Sequence, residues 1–154
     1  MKYTIKGKPI SQKRHRHTKK GFTYDPLSKE KKIFKLKILE QKINKYKTTK
    51  TTKDPVNIHI LFYFKRPKSH YRTGKYCKEL KKDVPFCHIT KPDVDNLAKF
   101  VLDGLTGVLY KDDNQVTSIT AIKLYDEEER TEFNISTIRG QKWEKKINKK
   151  FLAL

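Results

Sequence analysis

The chain has 154 residues, 35% of them apolar, which allows one modest hydrophobic core and leaves little room for a second. Its 37 Lys and Arg against 17 Asp and Glu give a formal charge of +20, a self-repulsion that a polyanionic partner would relieve. No apolar run approaches the roughly 20 residues that cross a bilayer, the first residues carry Lys2, Lys6 and Lys8 instead of a signal peptide's apolar stretch, and Cys77 and Cys87 are too few for a secreted disulfide scaffold. The expectation is a soluble cytoplasmic protein with free thiols and no membrane partner.

The charge is unevenly spread. Residues 1–92 hold 27 Lys and Arg against 6 acids, whereas residues 93–154 hold 10 against 11. A lysine-rich composition alone does not explain why the acids gather in one half, and nucleic acid is the leading partner.

In chain order, Lys2 to Ile5 reads as a short strand, followed by a basic loop at about 11–21 that carries Lys13, Arg14 and Arg16. From Ser28 to about Lys47, Leu36, Leu39, Ile43 and Tyr46 recur at helical spacing, with Ile33 one turn earlier, while Phe34 and Ile38 fall off the stripe. A polar connection over 48–55 leads to strict alternation at Val56, Ile58, Ile60, Phe62 and Phe64, a strand with one buried face. Residues 65–91 show no period and mix Arg72, Lys91 and other cations with Tyr71, Tyr76 and Phe86, which suits a functional loop or disorder. Asn96 to Leu105 reads as a second helix ended by Gly104 and Gly107. Val116 to Tyr125 and Thr131 to Ile138 read as a hairpin around Asp126–Arg130, and Trp143, Ile147 and Phe151 lie at helical spacing in a basic tail. The expected fold is a single α/β (α+β) domain spanning 1–154, a small mixed β-sheet packed by two or three helices.

The chemistry concentrates in two stretches, Lys91-Pro92-Asp93-Val94-Asp95-Asn96-Leu97-Ala98-Lys99 and Lys111-Asp112-Asp113-Asn114-Gln115-Val116. Asp93 and Asp95, two apart ahead of a helix, can project from one side of an extended segment. Asp95 is also placed to cap the helix, and Asp112 and Asp113 precede a strand that can return beside it. Clustered carboxylates repel one another unless a cation neutralises them, and hard oxygen donors favour Mg²⁺, with Mn²⁺ as a substitute. Lys99, one turn beyond Asp95, can neutralise charge on a phosphate. The bland alternative makes Asp95 a cap, Asp112 and Asp113 turn residues, and Asp93 a solvated charge. His70, Cys77, Cys87 and His88 offer zinc-type donors at spacings that match no zinc motif, so no zinc is expected.

These residues resemble the RusA-like Holliday-junction resolvases. The likeness covers the Lys-Pro-Asp-Val-Asp-Asn segment, Lys99, Leu102-Asp103-Gly104-Leu105 and Asp112-Asp113-Asn114-Gln115-Val116. It implies a homodimeric α/β endonuclease, bacterial or phage-encoded, that makes paired symmetric nicks in four-way DNA junctions with Mg²⁺. By position it makes Asp93, Asp95 and Asp113 the metal-binding carboxylates and Lys99 the catalytic lysine, with Asp112 and Asn96 in support. Lys13, Arg14, Arg16, Arg72 and Lys91 are the expected phosphate contacts, and Phe22, Tyr24 and Tyr71 are placed to stack on unpaired bases. The competing readings are a non-catalytic basic nucleic-acid-binding protein and a nuclease for flaps or forks.

Overall fold

The computed structural model describes residues 1–19 and 21–138. The stripe of Trp143, Ile147 and Phe151 lies outside the described residues.

Strand β1 (Lys2–Lys6) is followed by a two-residue ribbon, β2 (Arg16–His17) with β3 (Thr23–Tyr24), then helix α1 (Ser28–Tyr46) and strand β4 (Val56–Lys65). Helix α2 (Val94–Leu105) precedes β5 (Val116–Asp126) and β6 (Arg130–Thr137). Four strands make one mixed sheet in the order β1-β6-β4-β5, with β4 parallel to β5 and antiparallel to β6. This is the expected mixed sheet with two helices among the described residues, none of them long and apolar enough to cross a membrane.

The alternation of β4 is realised: Val56, Ile58, Ile60, Phe62 and Phe64 are all buried on the helix-facing side. Each such side chain contributes about 1.5–3 kcal/mol by leaving water. Tyr3 and Ile5 of β1 and Phe133 and Ile135 of β6 extend the same face. The outer edge of β1 is blocked by α1. Gln41 accepts from Thr4 N at 3.1 Å and donates to Thr4 O at 2.8 Å, and the Tyr46 hydroxyl bonds both Lys2 N and Lys2 O. An edge satisfied by side chains cannot recruit another strand.

Three expectations are corrected. First, α1 buries Phe34, Ile38 and Lys42, while Ile33 is 46% and Leu36 57% exposed. The buried ladder runs at four-residue spacing, and its third member is a lysine whose stem packs inside while its ammonium donates to Val108 O at 2.6 Å and Thr49 O at 3.1 Å. Because the buried row includes a lysine, the apolar series alone pointed to the wrong face of the helix. Second, β5 and β6 are not a hairpin, because β4 lies between them. The short link crosses the end of β4, where Arg130 bonds Asp126 and Glu132 at 2.7 Å and lies 3.7 Å from the Tyr63 ring centroid.

Third, Gly104 does not end α2; it lies inside it, where a Cβ would stand 2.4 Å from Phe34 Cδ1. Glycine lets the two helices approach closely, whereas Gly107 beyond the helix has φ +79 and is the residue that needs its conformational freedom. Of the two alternatives for 65–91, the structure has the loop: it has 3-10 turns at Lys68–His70 and Gly74–Tyr76, a Tyr71–Leu80 bridge, and a return segment in which His88 N donates to Lys123 O at 3.0 Å and Tyr125 N to Phe86 O at 3.1 Å.

Candidate active site and nucleic-acid interface

Helix α2 begins at Val94, two residues earlier than a cap at Asp95 would place it. Asp93, extended at φ −72 and ψ 146, occupies the N-cap position without a side-chain cap bond, and Asp95 lies inside the first turn. Asp95 is therefore not the cap, and the two carboxylates stand at the mouth of the helix instead of along one extended segment. Both are exposed, and no ion pair engages either among the described residues. The helix field favours negative charge at this end by about 0.3–1 kcal/mol each. Lys99, four residues after Asp95, shares its face and is likewise exposed.

The turn before Asp93 is built from three directions. The Lys91-Pro92 bond is cis. Lys123, at a helix-facing position of β5, donates from Nζ to Thr90 O at 2.6 Å and Pro92 O at 2.7 Å. His88 is buried, with its ring stacked on Phe64 at 4.0 Å and its Nε2 3.2 Å from the Thr90 hydroxyl. Burial, reinforced by the nearby Lys123 ammonium, pulls the His88 pKa below its usual value. From the other side, Gln12 N donates to Asn96 O at 2.9 Å, which docks the start of the basic segment against the first turn of α2. Lys13, Arg14 and Arg16 follow directly, all exposed.

Asp112 and Asp113 occupy the opposite end of α2. Asp112 closes a capping box on the turn Asp113–Gln115: its carboxylate accepts from Asn114 N at 3.0 Å while Gln115 accepts from Lys111 N and Asp112 N. The Asn114 bond, with the neighbouring Asp113 carboxyl, holds the Asp112 pKa below its ordinary value. Gln115 also donates to Thr52 O and Asp54 O, fastening the turn to the connection before β4. Asp113 is left exposed, beside a cleft it shares with Lys31, Asp103 and Thr106. In that cleft Lys31 Nζ lies 2.7 Å from both Asp25 and Asp103. Burial lowers the Lys31 pKa, but bonds to Asp103 and Asp25 raise it by more.

One chain therefore does not gather Asp93, Asp95 and Asp113. Asp103 lies eight positions beyond Asp95 along α2, about 12 Å at the helical rise, while carboxylates on one Mg²⁺ each approach to about 2 Å. Among the described residues no group of three His, Cys, Asp or Glu is placed to hold a metal ion. The donors are right in kind for a hard cation and incomplete in number within one copy. Of the expected phosphate contacts, Arg72 is already engaged, paired with Glu79 and lying 4.1 Å from the Tyr76 ring centroid, whereas Lys91 is exposed beside the Asp93 turn.

Residues 6–136 match the family described as Endodeoxyribonuclease RusA. The chain belongs to the RusA endodeoxyribonuclease family. It is also similar to "Uncharacterized protein YqaN" of Bacillus subtilis (strain 168), 31% identical over 139 residues that make up 90% of this chain and 96% of that protein. The RusA match takes in the basic ribbon, helices α1 and α2 and both aspartate stretches.

Spacing missed Gln12, Lys123 and His88, the residues that position the RusA motif at its N-terminal end. Lys123 was legible in principle: it breaks the apolar series of Ile119, Ala121 and Tyr125 on the helix-facing side of β5.

Proposed function

We propose that this protein is a Mg²⁺-dependent endonuclease that resolves four-way DNA junctions by paired, symmetric nicks, working as a homodimer in the cytoplasm of a bacterium or phage-infected cell. The observation that carries this reading is the exposed Asp93 and Asp95 pair, unneutralised by any ion pair among the described residues and flanked by basic arms on a chain of charge +20. A binding module gains nothing from acids facing phosphates; a nuclease needs them.

Mg²⁺ bound there would polarise the scissile phosphate and lower the pKa of a bound water. Asp93 and Asp95 would hold it, and Lys99 would face the phosphate from the same helix face. Lys13, Arg14, Arg16 and Lys91 would fix the backbone on either side. The remaining carboxylate comes from the second copy: because α2 keeps Asp113 away from its own Asp93 and Asp95, a two-fold dimer completes two equivalent sites, each built from both chains. Two such sites match the two-fold symmetry of an open junction.

The test is one gel with labelled four-way junction, flap, duplex and single-stranded DNA, each with Mg²⁺ and with chelator. Paired nicks in the junction alone, abolished by chelator, are expected. Preference for the flap would replace the junction reading with a flap nuclease, and binding without cutting in Mg²⁺ would leave a non-catalytic nucleic-acid-binding protein.

A further inference from the structure

Two large apolar side chains just ahead of the Asp93 turn point into solvent from backbone that is fixed. Tyr125 N donates to Phe86 O at 3.1 Å and Arg66 donates to Pro85 O at 2.9 Å, yet Phe86 is 70% exposed. Ile89 is 79% exposed, although His88 before it is hydrogen-bonded to β5 and stacked on Phe64, and Thr90 after it accepts from Lys123 at 2.6 Å. A side chain on a loose loop can fold back onto the surface; one on pinned backbone stays presented.

Single exposed apolar residues are ordinary. Two within four residues, both on pinned backbone in the seven residues that lead to Asp93, are less so. Their surroundings select the partner, since residues 65–91 carry nine Lys and Arg against two acids, which suits a phosphate backbone and opposes a basic second copy. A continuous duplex offers no base face to such side chains, because every face is stacked; a branch point, where stacking is interrupted, does.

We propose that Phe86 stacks on an unstacked base at a DNA branch point, with Ile89 as a separate apolar contact, and that these contacts set the preference for branched over duplex DNA. The inference rests on the endonuclease reading above. Phe86 offers a ring face and Ile89 an apolar edge, while Lys91 and the loop cations hold the flanking phosphates.

The experiment uses a synthetic four-way junction with 2-aminopurine substituted in turn at each position beside the crossover, titrated in chelator with the full chain and with the F86A/I89A and Phe86→Trp variants. Wild type should raise the fluorescence of at least one probe. F86A/I89A should lose that rise and about tenfold of its junction-over-duplex affinity ratio, the scale of stacking on one ring. Its duplex affinity and salt dependence should be unchanged, and Phe86→Trp should keep the wild-type signal. The proposal is overturned if F86A/I89A retains both the rise and the ratio, or loses duplex and junction affinity equally. A change of F86A/I89A from dimer to monomer in light scattering would overturn it too, marking these side chains as a contact between copies. Absence of any branched-DNA preference in the wild type would instead remove the endonuclease reading on which it stands, a result visible before any variant is made.

Discussion

Lys123 on β5 donates from Nζ to the carbonyl of Pro92 at 2.7 Å, so the residue immediately before Asp93 is held by an ammonium from the sheet. The same Nζ takes Thr90 O at 2.6 Å, and the two bonds close the turn that delivers Asp93 to the mouth of α2. Lys123→Met keeps the stem and removes both charged bonds, each worth about 1.5–3 kcal/mol. Stability should fall by part of that amount, and the nicking rate of the folded variant by about tenfold or more, because a misplaced ligand costs catalysis more than binding. Lys123→Arg should recover most of the rate. Equal losses in junction affinity and nicking rate would show that Lys123 contacts DNA instead of setting the turn.

Asp93→Asn, Asp95→Asn and Asp113→Asn each keep the shape of the side chain and remove the charge of a proposed metal ligand. Hydrolysis should drop by several orders of magnitude for each. Junction affinity in chelator should hold or tighten, since a carboxylate that faces phosphate has been neutralised. Lys99→Ala should lose cutting with binding unchanged or slightly weaker. Matched gel-shift and nicking assays on folded variants check this, and an Asp95→Asn protein cutting at the wild-type rate would remove the site.

Gly104 gives a stability prediction independent of function. On an open helix face Gly→Ala stabilises by up to about 1 kcal/mol, but here the new Cβ would stand 2.4 Å and 2.8 Å from Phe34 ring carbons. Overpacking of this kind costs about 1–3 kcal/mol and should win. Thermal unfolding of Gly104→Ala should show a lower midpoint, and combining it with Phe34→Leu should recover part of the loss. A raised midpoint in the single variant would mean that the helices are farther apart than described.

His88 makes stability depend on pH. Its Nδ1 is buried without a hydrogen-bond partner among the described residues, and burial with the Lys123 charge lowers its pKa from the ordinary 6.5. A histidine depressed in the folded state takes up its proton more readily when unfolded, so unfolding binds protons in the window between the two values. The contribution is complete above about pH 6.5 and is lost as pH falls through that value toward the folded pKa. Urea midpoints of the wild type should fall between pH 7.5 and 5, and His88→Phe should flatten that slope while the acid-side loss from Asp25, Asp126 and Glu132, whose pKa values are lowered by bonds to Lys31 and Arg130, remains.

Local pattern revealed some of this and tertiary context hid the rest. The period of two in Val56 to Phe64 survives because every inward residue meets the same core. The face of α1 was misread because Lys42 is buried through its stem, a fact that depends on carbonyls of Val108 and Thr49 far from it in sequence. Likewise, Arg130 could not announce that β4 inserts between β5 and β6, since strand order is a non-local property. The aspartate motif and the helix between its halves stood out from the spacing, but the spacing did not say that Asp112 and Asp113 would return at the far end of α2.

That separation yields the sharpest prediction. If each site takes Asp93 and Asp95 from one chain and Asp113 from the other, Asp95→Asn and Asp113→Asn inactivate different halves of the same composite site. Either variant alone damages both sites of its homodimer. In a mixed dimer, one site inherits both substitutions, while the other pairs the Asp113→Asn chain's intact Asp95 with the Asp95→Asn chain's intact Asp113. Mixing the two inactive proteins under conditions that exchange subunits should therefore restore cutting, to about a quarter of the wild-type rate at equal mixing, since half the dimers are mixed and each has one working site. The restored activity should consist of single nicks instead of paired ones, because the partner site is dead. Sites complete within one chain predict no rescue, as every chain would carry a damaged site. No rescue from a mixture whose subunit exchange is verified by a tagged copy would locate Asp113 in its own chain's site, and would require the turn at Asp113–Gln115 to leave its anchors on Thr52 and Asp54 when metal and DNA bind.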